Sequence, residues 1–149
     1  MGERRKVTSR GFTLLELIVT LFVLALAVGL TAPAIGRSAA GLRARAEVAG
    51  FSAVLRHARE RAITTGRSHA VVIDPQARRM SITTGEDEVR ESRALPEGLG
   101  VEASPPPALT VRFEPQGISN GGDFRLTSGT VAYRVTVDTV TGRVRTARE

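Results

Sequence analysis

Between Glu16 and Arg37 the chain carries no charged residue. Leu17 to Ile35 is a run of 19 residues. As a helix at ~1.5 Å per residue it would extend about 28 Å, close to the ~30 Å hydrocarbon core of a bilayer. A helix satisfies its own backbone in that medium, so the run can cross as one helix. Glu16 stands at its head. A carboxylate at mid-membrane depth costs at least ~2.5 kcal/mol and less near the interface. Glu16 is therefore either solvated at headgroup level or held by a partner, and charge alone leaves both readings open.

The neighbours of Glu16 narrow the choice. A short basic leader with Arg4, Arg5, Lys6 and Arg10 precedes Gly11-Phe12-Thr13-Leu14-Leu15-Glu16. That order resembles the prepilin processing site of type IV pilins and type II secretion pseudopilins. The resemblance implies cleavage after Gly11 by a membrane prepilin peptidase, N-methylation of the new first residue Phe12, and a part for Glu16 in assembly. Pro33, the twenty-second residue counted from Phe12, matches a helix-bending proline of the family. The implied segments are a leader over 1–11, a transmembrane and filament-core helix over 12–36, and a periplasmic domain over 37–149. A Sec-type signal is cut after its apolar region, which is then discarded; cutting at Gly11 retains it. Cleavage also leaves a cationic amine at Phe12, a natural partner for a neighbouring subunit's Glu16. Such a pair attracts strongly only after both charges lose water, so it reads as a register device more than as a source of stability. The rival reading is a Sec signal cut near Ala32-Pro33-Ala34; the proline at its centre and the Gly11–Glu16 motif make it the lesser one.

Composition adds limits. A chain of 149 residues has room for one membrane helix and one small domain. It has no cysteine, hence no disulfide and no thiolate chemistry. The net charge is +6; residues 1–11 hold four bases against Glu3, so removing them leaves +3. Every basic residue except Lys6 is arginine, a habit of composition that does not by itself argue for nucleic acid. Basic residues flank both ends of the apolar run, with Arg37, Arg43 and Arg45 beyond it. The positive-inside rule therefore gives only a slight push towards a cytoplasmic N-terminus. The processing motif supplies the rest, because the family's peptidase works on the cytoplasmic side.

Residues 42–65 read as an amphipathic helix. Val48, Phe51, Leu55, Ala58 and Ala62 recur at spacings of three and four and share one face. Gly66 is a natural terminator, while Pro33, Gly36, Gly41 and Gly50 weaken the helix before it. From His69 the period changes. His69–Ile73 reads as a buried strand, Asp74–Ala77 as a turn, and Arg79–Thr84 as its half-buried partner. Gly85-Glu86-Asp87-Glu88 is a turn, Val89–Ala94 a weaker strand, and Val101 the start of a short one. Ser104-Pro105-Pro106-Pro107 reads as an extended connector. Strands follow over Leu109–Phe113, Asp123–Thr127, Val131–Asp138 and Arg143–Thr146. Val131, Tyr133, Val135 and Val137 share one face. The expected class is α+β: a long N-terminal helix packed on a small antiparallel β-sandwich with strands over 69–146.

Three pieces of this half carry a second resemblance. They are Leu55-Arg56-His57-Ala58-Arg59 with Ala62-Ile63, then Phe113-Glu114-Pro115-Gln116-Gly117 ahead of Gly121-Gly122, and Thr141-Gly142-Arg143-Val144. In this order they resemble the GspH/FimT branch of the family. The resemblance implies a minor pseudopilin that assists export of folded proteins, anchored in the inner membrane with its domain in the periplasm, and other pseudopilins as partners. The alternative it implies is a minor pilin of a type IV pilus serving pilus assembly or DNA uptake.

No catalytic pattern stands beside this, so the chain is not expected to be an enzyme and no cofactor is expected. His57 and His69 are the only histidines, a poor metal set without cysteine. His57 reads as a surface residue and His69 as a half-exposed edge residue. Ser52 or Ser68 with these histidines and Asp74 lacks a nucleophile elbow. Glu86, Asp87 and Glu88 lack the spacing of a calcium loop, and no phosphate-binding glycine loop is present. Arg143 and Arg145 remain. Alternation puts both on one side of a terminal strand with spacing suited to phosphates, and in FimT-like competence pilins a similar Gly-Arg-x-Arg element is linked to DNA capture. The plainer reading, which weighs more, is a charged edge strand that deters edge-to-edge pairing. The chain has one tyrosine and no tryptophan, so it offers little stacking surface for single strands.

Overall fold

The computed structural model of the chain describes residues 12–85, 88–106 and 108–149, with the side chains of all of these except 30–38. The chain divides into two compact units, one ending at Ala39 and one from Ala40 to Glu149. A single helical element, α1 (Leu14–Thr65), contributes to both. It begins at a cap: Thr13 Oγ1 accepts the Glu16 amide at 3.2 Å and the Thr13 carbonyl accepts the Leu17 amide at 3.1 Å. Thr13-x-x-Glu16 is the capping-box pattern, in which a threonine at the N-cap satisfies the amide three residues on. The expected bend at Pro33 concerns a side chain outside those described. Residues 1–11, the expected leader with its expected cleavage site at Gly11, also lie outside the described residues.

In the second unit α1 is amphipathic, as its spacing requires. Val48, Phe51, Leu55, Ala58 and Ala62 are all buried, joined by Ala44 and Val54. They share one core with side chains of two four-stranded sheets. The Phe51 and Phe124 rings meet edge to face, centroids 5.5 Å apart, the arrangement aromatic quadrupoles favour. The helix stops where expected, at Gly66 with φ +64°, and the Thr64 and Thr65 hydroxyls return bonds to the carbonyls of Glu60 and Arg61.

The first sheet holds β1 (His69–Asp74), β2 (Arg79–Thr84), β3 (Glu88–Ala94) and β5 (Thr110–Phe113) in the order β3-β2-β1-β5. The second holds β4 (Leu99–Ala103), β6 (Gly122–Ser128), β7 (Val131–Val137) and β8 (Val144–Arg148) in the order β4-β6-β7-β8. Every pairing is antiparallel. Tyr133, Val135 and Val137 face the core together, with Val131 partly buried against it. Several strand ends differ from expectation by one or two residues, β8 running Val144–Arg148 and not Arg143–Thr146, and two details stand out. β4 starts at Leu99, not Val101, because Leu99 is itself a core residue and pairs with Ser128. The proline-rich connector is not extended throughout: the Ser104 amide donates to Asp123 O at 2.8 Å, in line with the β4–β6 ladder, but the Ala108 amide then closes a turn on Pro105 O at 3.2 Å. Pro107 lies outside the described residues, as do Glu86 and Asp87 of the acidic turn.

Distant loops are tied to α1 by one arginine. Arg59 Nε donates to Gly117 O at 3.3 Å and to Thr141 O at 3.1 Å. The loop 138–143 is braced from inside: Asp138 Oδ1 accepts the Thr141 amide at 2.7 Å, the Thr141 hydroxyl at 2.8 Å and the Val140 amide at 3.1 Å. The Thr141 amide and hydroxyl hold the Asp138 carboxyl below the ordinary aspartate range, with smaller help from the Val140 amide and the charge of Arg145. Gly142 completes the loop at φ +60°, and a Cβ there would lie 2.2 Å from Gly117 O and 2.9 Å from Arg59 Nε. Only glycine fits that position, by conformation and by space.

Two stability outcomes follow from this packing. Leu55→Ala, at a fully buried site, is expected to cost about 2–5 kcal/mol, read as a lower denaturant midpoint with unchanged slope; a loss below about 1 kcal/mol would contradict its central place. Gly142→Ala and Gly129→Ala both place alanine at positive φ, but the Gly129 position is open. Gly129→Ala should cost about 1–2 kcal/mol, and Gly142→Ala clearly more. Equal losses would show that the approach of Gly142 to the Gly117 carbonyl does not matter.

Candidate functional site

The N-terminal part of α1 is apolar all round. Phe12 is 73% exposed and Leu14 77%, and the large apolar side chains from Leu15 to Val28 are exposed as well. Soluble proteins rarely leave so continuous an apolar surface uncovered. A helix apolar on every side belongs in lipid or among other helices. Among the described residues no helix is long and apolar enough to cross a membrane; described side chains reach only Gly29 in the run that extends to Ile35. Glu16 lies in the first turn of α1, where the helix macrodipole favours a carboxylate. Its amide is spent on the Thr13 cap. No partner for its carboxylate occurs among the described residues. Phe12 lies just ahead of the cap and outside the helix.

The second group of candidates meets at the far end of the chain. Arg143 is not in a strand. Its carbonyl accepts the Asp138 amide at 3.0 Å, closing the loop, and β8 begins at Val144. The expected strand alternation of Arg143 and Arg145 is therefore replaced by a loop residue followed by a strand residue. Both nevertheless line one cleft of about 590 Å3. The helix supplies two further arginines to it, Arg56 and Arg59. Their spacing of three places both on one side of α1, a signal present in the sequence but without meaning until the β7–β8 loop is placed beside it.

The remaining polar residues are structural. His57 is exposed, with Nε2 3.5 Å from Glu91 Oε2 of β3, and Arg61 pairs with the same carboxylate. His69 is not half-exposed at an edge: it is 3% exposed, on β1, which pairs with β2 on one side and β5 on the other. Its Nδ1 lies 3.0 Å from Arg67 O. Ser52, also buried, bonds Thr146 of β8 at 3.0 Å and ties that strand to α1. No group of three potential metal ligands occurs among the described residues.

The chain matches two family models. "Prokaryotic N-terminal methylation motif" covers residues 7–32, and "Type II transport protein GspH" covers residues 47–142. A curated relative, type II secretion system protein H of Xanthomonas campestris pv. campestris, is 33% identical, over 91% of this chain and 82% of the relative. Two solved structures share the fold. The type IV minor pilin FimU of Pseudomonas aeruginosa aligns with TM-score 0.61 at 12% identity, covering 70% of this chain and 88% of FimU. The minor pseudopilin EpsH of Vibrio cholerae aligns with TM-score 0.53 at 21% identity, covering 73% of this chain and 96% of EpsH. The fold is thus common to a pilus and a secretion subunit, whereas the sequence match runs through the core helix, both sheets and the loop ending at Gly142: the chain belongs to the GspH family of type II transport proteins.

Proposed function

We propose that this chain is a minor pseudopilin of a type II secretion system, a subunit of the pseudopilus tip that assists export of folded proteins across the outer membrane. The observation that carries the reading is the coupling, in one chain, of a methylation motif over residues 7–32 to a GspH domain over residues 47–142. The uncovered apolar surface of the first part of α1 supports it, since such a surface calls for lipid before assembly and for other helices after it. The chain is made as a prepilin, cut after Gly11 by a prepilin peptidase and N-methylated at Phe12. The helix then holds it in the inner membrane, N-terminus to the cytoplasm and domain in the periplasm. Glu16 meets the Phe12 amine of a neighbouring pseudopilin and sets the register between helices, and Pro33 lets the helix adjust as the subunit leaves the membrane. The role is structural, with no reaction catalysed and no cofactor. The rival, a type IV minor pilin with Arg143 and Arg145 on DNA, shares the fold but lacks the support that a GspH relative at 33% identity gives to secretion.

Two outcomes test the reading. Intact mass and N-terminal sequencing of the membrane-extracted protein should show a chain beginning at N-methylated Phe12. A start at Met1 or Gly2 would leave a plain anchor, and a start near Ile35 would mean Sec export. Glu16→Ala should insert and be processed normally, yet fail to join its partner pseudopilins in cross-linking and pull-down. Normal incorporation of that variant would remove Glu16 from assembly.

A further inference from the structure

The cleft beside the Arg59 anchor has a chemistry of its own. Its walls hold four arginines, Arg56, Arg59, Arg143 and Arg145, against one carboxylate, Glu60. Among the described residues neither Arg56 nor Arg143 has an ion-pair partner for its side chain. Arg59 is fixed in place through Nε, which donates to the carbonyls of Gly117 and Thr141, while its guanidinium still lines the cleft. The nearby carboxylate of Asp138 is committed to the amides and hydroxyl of its own loop. A charge held in place in this way, as Arg59 is, costs less to order on binding than a freely rotating one. The cleft also has an apolar component: Ile63 is 45% exposed, and Val144 is partly buried against the core.

Resting on the pseudopilin reading, we infer that this cleft is a docking site for an acidic polypeptide segment with interspersed apolar side chains, carried by a neighbouring subunit of the assembly. Three features favour polypeptide over nucleic acid. The arginines converge on a single cleft of about 590 Å3, the size class of pockets that take a few side chains, where a nucleic-acid surface spreads its cations along a backbone. Ile63 and Val144 offer contacts that phosphates cannot use. Among the described residues no aromatic ring lines the cleft, and Tyr133, the single tyrosine, is buried, so bases find no aromatic platform to stack on. Carboxylates suit the site because guanidinium groups take them in paired hydrogen bonds, and the apolar positions then supply the contact area.

The test uses the full processed chain in detergent micelles. The probes are a fluorescein-labelled peptide of alternating Glu and Leu, its Gln/Leu counterpart, a single-stranded oligothymidine and a short duplex. The Glu/Leu peptide should bind at low salt and weaken as salt rises, while the Gln/Leu peptide should not bind. Arg56→Glu/Arg143→Glu should weaken binding by at least about tenfold. Arg56→Gln/Arg143→Gln, which places no carboxylates beside Glu60, should weaken it in the same direction. Ile63→Ser should weaken binding of the Glu/Leu peptide, and Arg79→Glu, at an exposed residue of β2 in the other sheet, should change nothing. The inference is overturned if both double variants bind like the parent, if no peptide binds at low salt, or if oligonucleotide binds more tightly than peptide. A chain processed at Phe12 that ignores the peptide removes the cleft alone; a chain that is never processed removes the pseudopilin reading first.

Discussion

One helical element has to satisfy two environments, and the rest of the chain follows from that demand. Its first part is apolar on every side, which makes sense only against lipid or other helices. Its second part keeps a single apolar stripe, from Ala44 through Leu55 to Ala62, that must be covered within the chain. Two four-stranded antiparallel sheets provide the cover. Antiparallel sheets suit the task because each can bury one face and leave the other to water. In β7 the alternation is plain: Tyr133, Val135 and Val137 are inside, with Arg134 outside between them.

Arg59 sets the geometry at the end of the domain where α1 stops. It links the helix to residues 58 and 82 positions later in the chain. Three short stretches that carry the family resemblance meet there: Arg59 from the first, Gly117 from the second, Thr141 and Gly142 from the third. Each is weak as a motif because each alone is a turn or a piece of helix. Together they are one contact, in which a guanidinium occupies carbonyl oxygens that a loop would otherwise leave to water. What such an arrangement requires is physical: glycine at 142 for space, aspartate at 138 to brace the turn, arginine at 59 to reach across.

Much of this was legible in the sequence, and the gaps have a common cause. The stripe on α1, its end at Gly66 and the β1–β2 hairpin were readable because they depend on local period and local backbone preference. The processing motif was readable as a pattern of residue types. His69 was misplaced because its burial depends on β5, some forty residues later, pairing with β1. Ser52 was passed over for the same reason, since its partner Thr146 arrives through tertiary packing. The proline-rich connector reads as extended on composition, but after Ser104 it closes a turn from the Ala108 amide to Pro105 O, a bond that composition does not reveal. Arg56 and Arg59 could be placed on one helix face without revealing that Arg143 and Arg145 would join them.

Thr13 changes how Glu16 is understood. The capping box lies inside the processing motif, so one short stretch of sequence carries two sets of demands. The cap uses the Glu16 amide and leaves the carboxylate unspent. The N-terminal end of a helix already carries about half a positive charge from its macrodipole. Under the proposed processing, cleavage adds an ammonium at Phe12, one residue ahead of the cap. Two positive centres then crowd one end of one helix, and N-methylation leaves the charge in place. A carboxylate would relieve that crowding, and under the proposed assembly Glu16 of an adjacent helix would reach it only within a narrow range of relative heights. The pair would therefore select a stagger between helices even where its net contribution to stability is small, because every other stagger leaves a carboxylate and an ammonium unpaired in a medium that penalises both.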